Sequence, residues 1–71
     1  MSGPDAVERE RMRRAIAELP HPMQAAYRRH LFGGLSYFAI AAELGLEVRE
    51  VEQLIAQSIV LIDRTLRRSG P

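Results

Sequence analysis

The second half of the chain carries the longest ordered alternation of apolar and polar positions. With Val48 as origin and roughly 100° per residue, Val51, Ile55, Ile59, Ile62 and Leu66 fall within about 60° of it. This predicts one long helix, from Val48 to about Arg68, with that stripe buried. Leu54, Ser58, Leu61 and Thr65 fall on a neighbouring strip to one side, and Val60 lies on the other flank. Upstream, Ile40 and Leu44 are four apart and share one helical face. Ser36, an N-cap residue type, stands just ahead of them, so a short helix is expected from about Ser36 to Leu44. Gly45 can adopt positive φ without a Cβ penalty and ends that helix in a tight turn. Leu46 fills the corner, and Glu47 can cap the long helix. Helix, glycine corner, helix is the pattern of a helix-turn-helix.

The first half is less regular. Val7, Met12, Ile16 and Leu19 form a ragged apolar stripe on a helix capped by Asp5 and running to about Leu19. Leu19-Pro20-His21-Pro22 is a break, because each proline pushes the preceding residue out of the α region. Pro22 suits the first position of a second helix, where a missing N–H costs nothing. That helix carries Met23, Ala26, Tyr27 and Leu31, and ends near Phe32 at Gly33-Gly34. No alternating run is bounded by hairpin turns, so no strand is expected. The expected fold is all-α, a four-helix bundle containing a helix-turn-helix. One domain should span residues 5–68, with tails at 1–4 and 69–71.

Size sharpens this picture. A chain of 71 residues is one small domain that buries only about 60% of its unfolded surface. It has no cysteine, so neither a disulfide nor a thiolate metal site can supplement the core. No apolar run follows the N-terminal residues in the manner of a signal peptide. No segment approaches the ~18 apolar residues of a membrane span. A cytoplasmic protein without membrane contact is expected.

The net charge of +1 conceals an uneven distribution. All ten basic residues are arginine, most simply the imprint of a GC-rich genome. Arg9, Arg11, Arg13 and Arg14 lie near the start, Arg28 and Arg29 in the middle, and Arg64, Arg67 and Arg68 near the end. From Glu47 to Asp63, Arg49 stands alone against Glu47, Glu50, Glu52 and Asp63, a formal charge of −3. The two ends are basic and the helix-turn-helix is acidic.

Catalytic chemistry finds no footing. His21 lies in the proline break and His30 on the second helix, without metal-ligand spacing. Ser36 reads as a cap, and Gly33-Gly34 has no phosphate-loop context. Tyr27, Phe32, Tyr37 and Phe38 are expected to pack in the core or hinge. No enzyme, cofactor, metal or small-molecule substrate is expected.

A helix-turn-helix commonly delivers its second helix to the DNA major groove. On that helix Arg49 suits guanine or phosphate, while Gln53 and Gln57 suit adenine edges. Arg28, Arg29 and Arg64, with Arg67 and Arg68, are candidates for holding the DNA backbone. The acidity of the helix works against this, because phosphate neutralisation supplies most non-specific affinity. Its second apolar strip suggests a different use. Leu54, Val60 and Leu61 are candidates for a partner surface, since apolar patches rimmed by charge are typical of protein contacts.

Ala17-Glu18-Leu19-Pro20, and the run from Leu31-Phe32-Gly33-Gly34 through Leu35-Ser36-Tyr37-Phe38-Ala39-Ile40-Ala41-Ala42-Glu43-Leu44-Gly45-Leu46, resemble region 4 of bacterial sigma factors, in particular the extracytoplasmic-function class. That family writes these as an "L-P" break and then "G-L-S-Y-x-E-I-A-x-x-L-G", followed by a recognition helix opening near "V-x-x-V". Val48 and Val51 match the last element; Ala39 stands where the family usually has an acidic residue. The resemblance spans roughly residues 12–68. It implies a four-helix bundle of the region 4 type that binds the −35 promoter element and the flap of the RNA polymerase β subunit. The expected function is a helix-turn-helix module of transcription initiation or its regulation, touching −35 promoter DNA, RNA polymerase or both. The alternative keeps the fold but binds protein through helix four: an anti-sigma factor, a polymerase subunit, or itself as a homodimer.

Overall fold

The computed structural model describes residues 3–69, with side chains for residues 6–68. Four helices follow in order: α1 (Gly3–Ala17), α2 (His21–Leu31), α3 (Tyr37–Leu44) and α4 (Val48–Ser69). There is no strand among the described residues. α1 starts two residues before the expected Asp5 cap, so Asp5 lies inside its first turn, and residues 3 and 4 are helical. Ser69 closes α4 in the same way. Of the expected tails, residues 1–2 and 70–71 lie outside the described residues.

Each corner has a local cause. Pro20 sits at the N-cap of α2 with φ −55° and ψ 152°, and α2 begins at His21, one residue ahead of Pro22. The Gln24 side-chain amide donates to the carbonyls of Ile16 and Ala17 at 3.0 and 3.1 Å, joining the Leu19 N–H at Ile16 to close the end of α1. α2 ends at Leu31 with Phe32 as its C-cap, and at the following Gly33 a Cβ would lie only 2.7 Å from the Arg29 carbonyl oxygen. The Ser36 hydroxyl accepts from the Ala39 N–H at 3.1 Å, the expected N-cap of α3. Gly45 ends α3 at φ +70°, its N–H bonded to the Ala41 carbonyl. At the start of α4, the Glu47 N–H donates to Oε1 of Glu50 at 2.9 Å, half of a capping box.

α4 is the spine, packed against each of the other three helices. Two apolar clusters lie along it. One joins Ala26, Ile40, Ala41, Val51 and Ile55, with Leu44, Leu46, Val48 and Leu54 packed at its edge. The other joins Ala15, Ile16, Leu19 and Ile62, with Met12, Met23 and Leu66 beside it. Tyr27 touches both clusters.

The buried face of α4 is rotated from the one expected. Val51, Ile55 and Ile62 are buried, but Ile59 is 54% exposed and Ser58 is fully buried. Ser58 donates its hydroxyl to the Leu54 carbonyl at 2.7 Å, and the Met23 carbonyl of α2 lies 3.5 Å from the same oxygen. A small side chain at this point lets the first turn of α2 press close to α4. The helix turns its Ser58 side inward and Ile59 moves out. Val7 departs from expectation too: residues 6–10 of α1 are all exposed, and only Ala15 and Ile16 are fully packed on that helix.

Candidate nucleic-acid interface

The rotation of α4 fixes what its outer face presents. Arg49, Gln53 and Gln57 are exposed and spaced four apart, so they form one row along the helix. None of the three makes a hydrogen bond or ion pair among the described residues. Gln53 and Gln57 border a shallow 230 Å³ depression closed by Pro22 and Leu46. The structure thus brings together three of the sequence-predicted DNA candidates.

The arginines expected to hold a DNA backbone are less available. Arg29 on α2 is committed: its Nε donates to Oε1 of Glu43 on α3 at 2.8 Å, and Nη1 donates to the Ala25 carbonyl at 3.0 Å. The Arg28 guanidinium lies over the Phe32 ring, 5.9 Å from its centroid. Arg67 pairs with Asp63 at 3.1 Å, and Arg68 approaches Glu18 at 3.8 Å. Arg64 is exposed and has no ion pair among the described residues.

The acidity of the motif is partly offset by the same contacts. Glu43 is matched by Arg29 and Asp63 by Arg67. The Glu50 carboxylate folds back onto the N-terminus of α4, where a negative charge complements the helix dipole. Glu47 and Glu52 are left with no ion pair among the described residues. Within the stretch from Glu47 to Asp63 that carries the formal −3, only Asp63 is ion-paired among the described residues, to Arg67.

The partner strip expected on α4 is only partly exposed. Leu54 is half-buried against the first cluster and Leu61 against the second. α2 and α1 cover that side, because Ser58 has drawn it inward. Val60 is 52% exposed and adjoins the exposed Ile59, so an apolar patch exists, shifted round the helix. Sequence reasoning missed Ile59 because it treated the polar Ser58 as an outward position. Two aromatic rings also differ from expectation. Phe38 is 75% exposed on α3 and Phe32 is 58% exposed after α2, whereas Tyr27 and Tyr37 pack against the core. His30 sits beside Tyr37, ring centroids 5.3 Å apart, with Nδ1 3.3 Å from the Leu35 carbonyl.

Among the described residues no group of three or more acidic, histidine or cysteine side chains could hold a metal ion. Among the described residues no helix is long and apolar enough to cross a membrane.

No curated protein and no solved structure matches the chain. The family model of Sigma-70, region 4, matches residues 9–61, a span that enters all four helices and contains the whole helix-turn-helix. That family binds DNA and regulates transcription and is not enzymatic. The chain therefore belongs to the sigma-70 region 4 family, which acts in transcription initiation through promoter DNA and RNA polymerase.

Proposed function

We propose that the chain reads −35 promoter DNA through Arg49, Gln53 and Gln57, and that it does so weakly unless RNA polymerase holds it at the promoter. The observation that carries this is the open row itself: three side chains with base-reading chemistry, exposed on α4 and committed to nothing else. Arg49 offers two parallel donors to guanine, and the two glutamines offer a donor and an acceptor to adenine. Arg28 and Arg64 lie outside the row as candidates for phosphate contact, and Arg29 joins them only when Glu43 releases it.

Electrostatics explain the dependence on a partner. Each phosphate contact adds about one unit to the salt dependence of binding, and few uncommitted arginines face this surface. A gel-shift or anisotropy titration of −35 duplexes across a salt series tests the proposal. A sequence preference with a shallow salt slope is expected, and Arg49→Ala combined with Gln53→Ala should remove the preference. Equal affinity for all duplexes at low salt would reject it.

Ile59 and Val60 favour a second reading. Two adjacent aliphatic residues, each more than half exposed, form a surface suited to protein. The occupant in that reading is an anti-sigma factor, a polymerase subunit or another copy of the chain. Ile59→Glu should then weaken a protein complex and leave DNA affinity little changed.

A further inference from the structure

Glu50 is the third residue of α4, and its carboxylate closes half of a capping box: Oε1 accepts the Glu47 N–H at 2.9 Å. Oε2 has no hydrogen-bond or ion-pair partner among the described residues. The cap explains an acceptor at this position but not a charge, because glutamine closes the same box. Glu50 stands three residues before Gln53 and seven before Gln57, so all three share one face of the helix. They border the same 230 Å³ depression, whose other walls are Pro22, Leu46 and Leu54. The bond from the Glu47 N–H thus holds an exposed carboxylate beside the base-reading row.

We infer that Glu50 is a specificity-determining residue that selects a cytosine in the promoter element. The inference rests on the reading of DNA by Arg49, Gln53 and Gln57, and it names a base that their chemistry leaves open. In a helix-turn-helix complex the first turns of the second helix face the base edges. A duplex seated on the row therefore brings its major groove to Glu50. A carboxylate offers acceptors alone. Guanine presents N7 and O6, and thymine presents O4, so both oppose it with acceptors. Adenine presents its N6 donor beside the N7 acceptor, so one carboxylate oxygen gains while the other is repelled. Cytosine presents the N4 donor with no acceptor beside it in the groove, and its edge is the one that matches. Without that donor Glu50 would only repel the duplex, since no cation pairs with it among the described residues.

Selection of the full chain on random duplexes, followed by anisotropy titration of singly substituted duplexes at low salt, tests this. The native chain should prefer cytosine over each other base by about tenfold at one position. Glu50→Gln keeps an oxygen for the Glu47 N–H, so helical circular dichroism and the thermal midpoint should hold. It should lose the cytosine preference at that position and favour adenine there, as glutamine does. Preferences at the other positions should stay. Affinity for every duplex should also rise, because one negative charge leaves the surface.

Glu50→Ala removes cap and acceptor together and should lower both the thermal midpoint and the cytosine preference. A lowered midpoint with the preference intact would overturn the inference. A uniform rise in affinity for Glu50→Gln, with cytosine still preferred, would overturn it too: Glu50 would then be a cap alone, and the reading by the row would stand. The same holds for a native chain that discriminates at positions lost in Arg49→Ala with Gln53→Ala yet prefers cytosine nowhere. A native chain with no sequence preference at all would overturn the reading by the row, and the role of Glu50 with it.

Discussion

Nε of Arg29 on α2 and Oε1 of Glu43 on α3 lie 2.8 Å apart, so a cation of the preceding helix is held by a carboxylate of the helix-turn-helix. Both side chains are partly exposed, 37% and 51%. Such a pair contributes at most about 1 kcal/mol to stability. Its larger consequence is for DNA, because Arg29 cannot serve a phosphate while it serves Glu43.

Glu43→Gln should therefore change binding more than folding. Urea denaturation should show a loss below about 1 kcal/mol. Non-specific DNA affinity should rise, and the slope of log affinity against log salt should steepen by about one unit as Arg29 becomes available. An unchanged slope would mean that Arg29 does not face the duplex.

Arg49→Ala should reduce that slope by about one unit if the arginine meets a phosphate. If it meets guanine instead, the slope should hold while discrimination at one base pair falls by about 1–3 kcal/mol. Titrations with point-substituted duplexes at two salt concentrations distinguish the two outcomes.

The two ends of α3 should contribute independently to stability. Ser36→Ala removes the acceptor for the Ala39 N–H and should cost about 1 kcal/mol. Gly45→Ala meets no atom within 4 Å but must hold φ +70°, which costs an L-residue about 1 kcal/mol of strain. The double variant should show the sum in thermal denaturation, with each substitution lowering Tm by roughly 4–8 °C for a domain of this size. A double variant no worse than either single one would show that the two caps are coupled.

Ser58 should tolerate loss but not gain of volume. Ser58→Ala removes only a hydroxyl bonded to a carbonyl of its own helix and should cost less than about 1 kcal/mol. Ser58→Leu must push α2 away from α4 and should cost about 1–3 kcal/mol or more. By contrast, Phe38→Ser should leave stability nearly unchanged, because that ring is 75% exposed. Chemical denaturation of the three variants checks all of these.

The sequence made the helix-turn-helix legible in detail because its signals are local. Ser36 caps, Gly45 turns, and Ile40 and Leu44 share a face whatever surrounds them. Val51, Ile55 and Ile62 were also correctly assigned to the core. Ile59 was not, because the inward axis of α4 depends on where α2 crosses it. That crossing is set by the smallness of Ser58, a quantity that hydropathy scores as polarity. The same cause put Leu54 and Leu61 under cover. Val7 and Phe38 were misplaced for a simpler reason: a chain this short has too few helices to cover every apolar residue it carries. In the candidate site, Arg49, Gln53 and Gln57 could be placed by spacing alone. The withdrawal of Arg29 by Glu43 could not, since those residues are fourteen apart in the chain and meet only through the packing of α2 on α3.

Tyr27 touches both apolar clusters, and beyond it only α2, through Met23 and Ala26, and α4 run along the two. Thermal fluctuation need not open both at once. α1 and the last turns of α4 can loosen together while α3, the Gly45 corner and the first turns of α4 keep their arrangement. Amide exchange should accordingly resolve two tiers of protection, divided near the middle of the longest helix, and a partner that grips the basic end could be accommodated by local rearrangement without disturbing the tip.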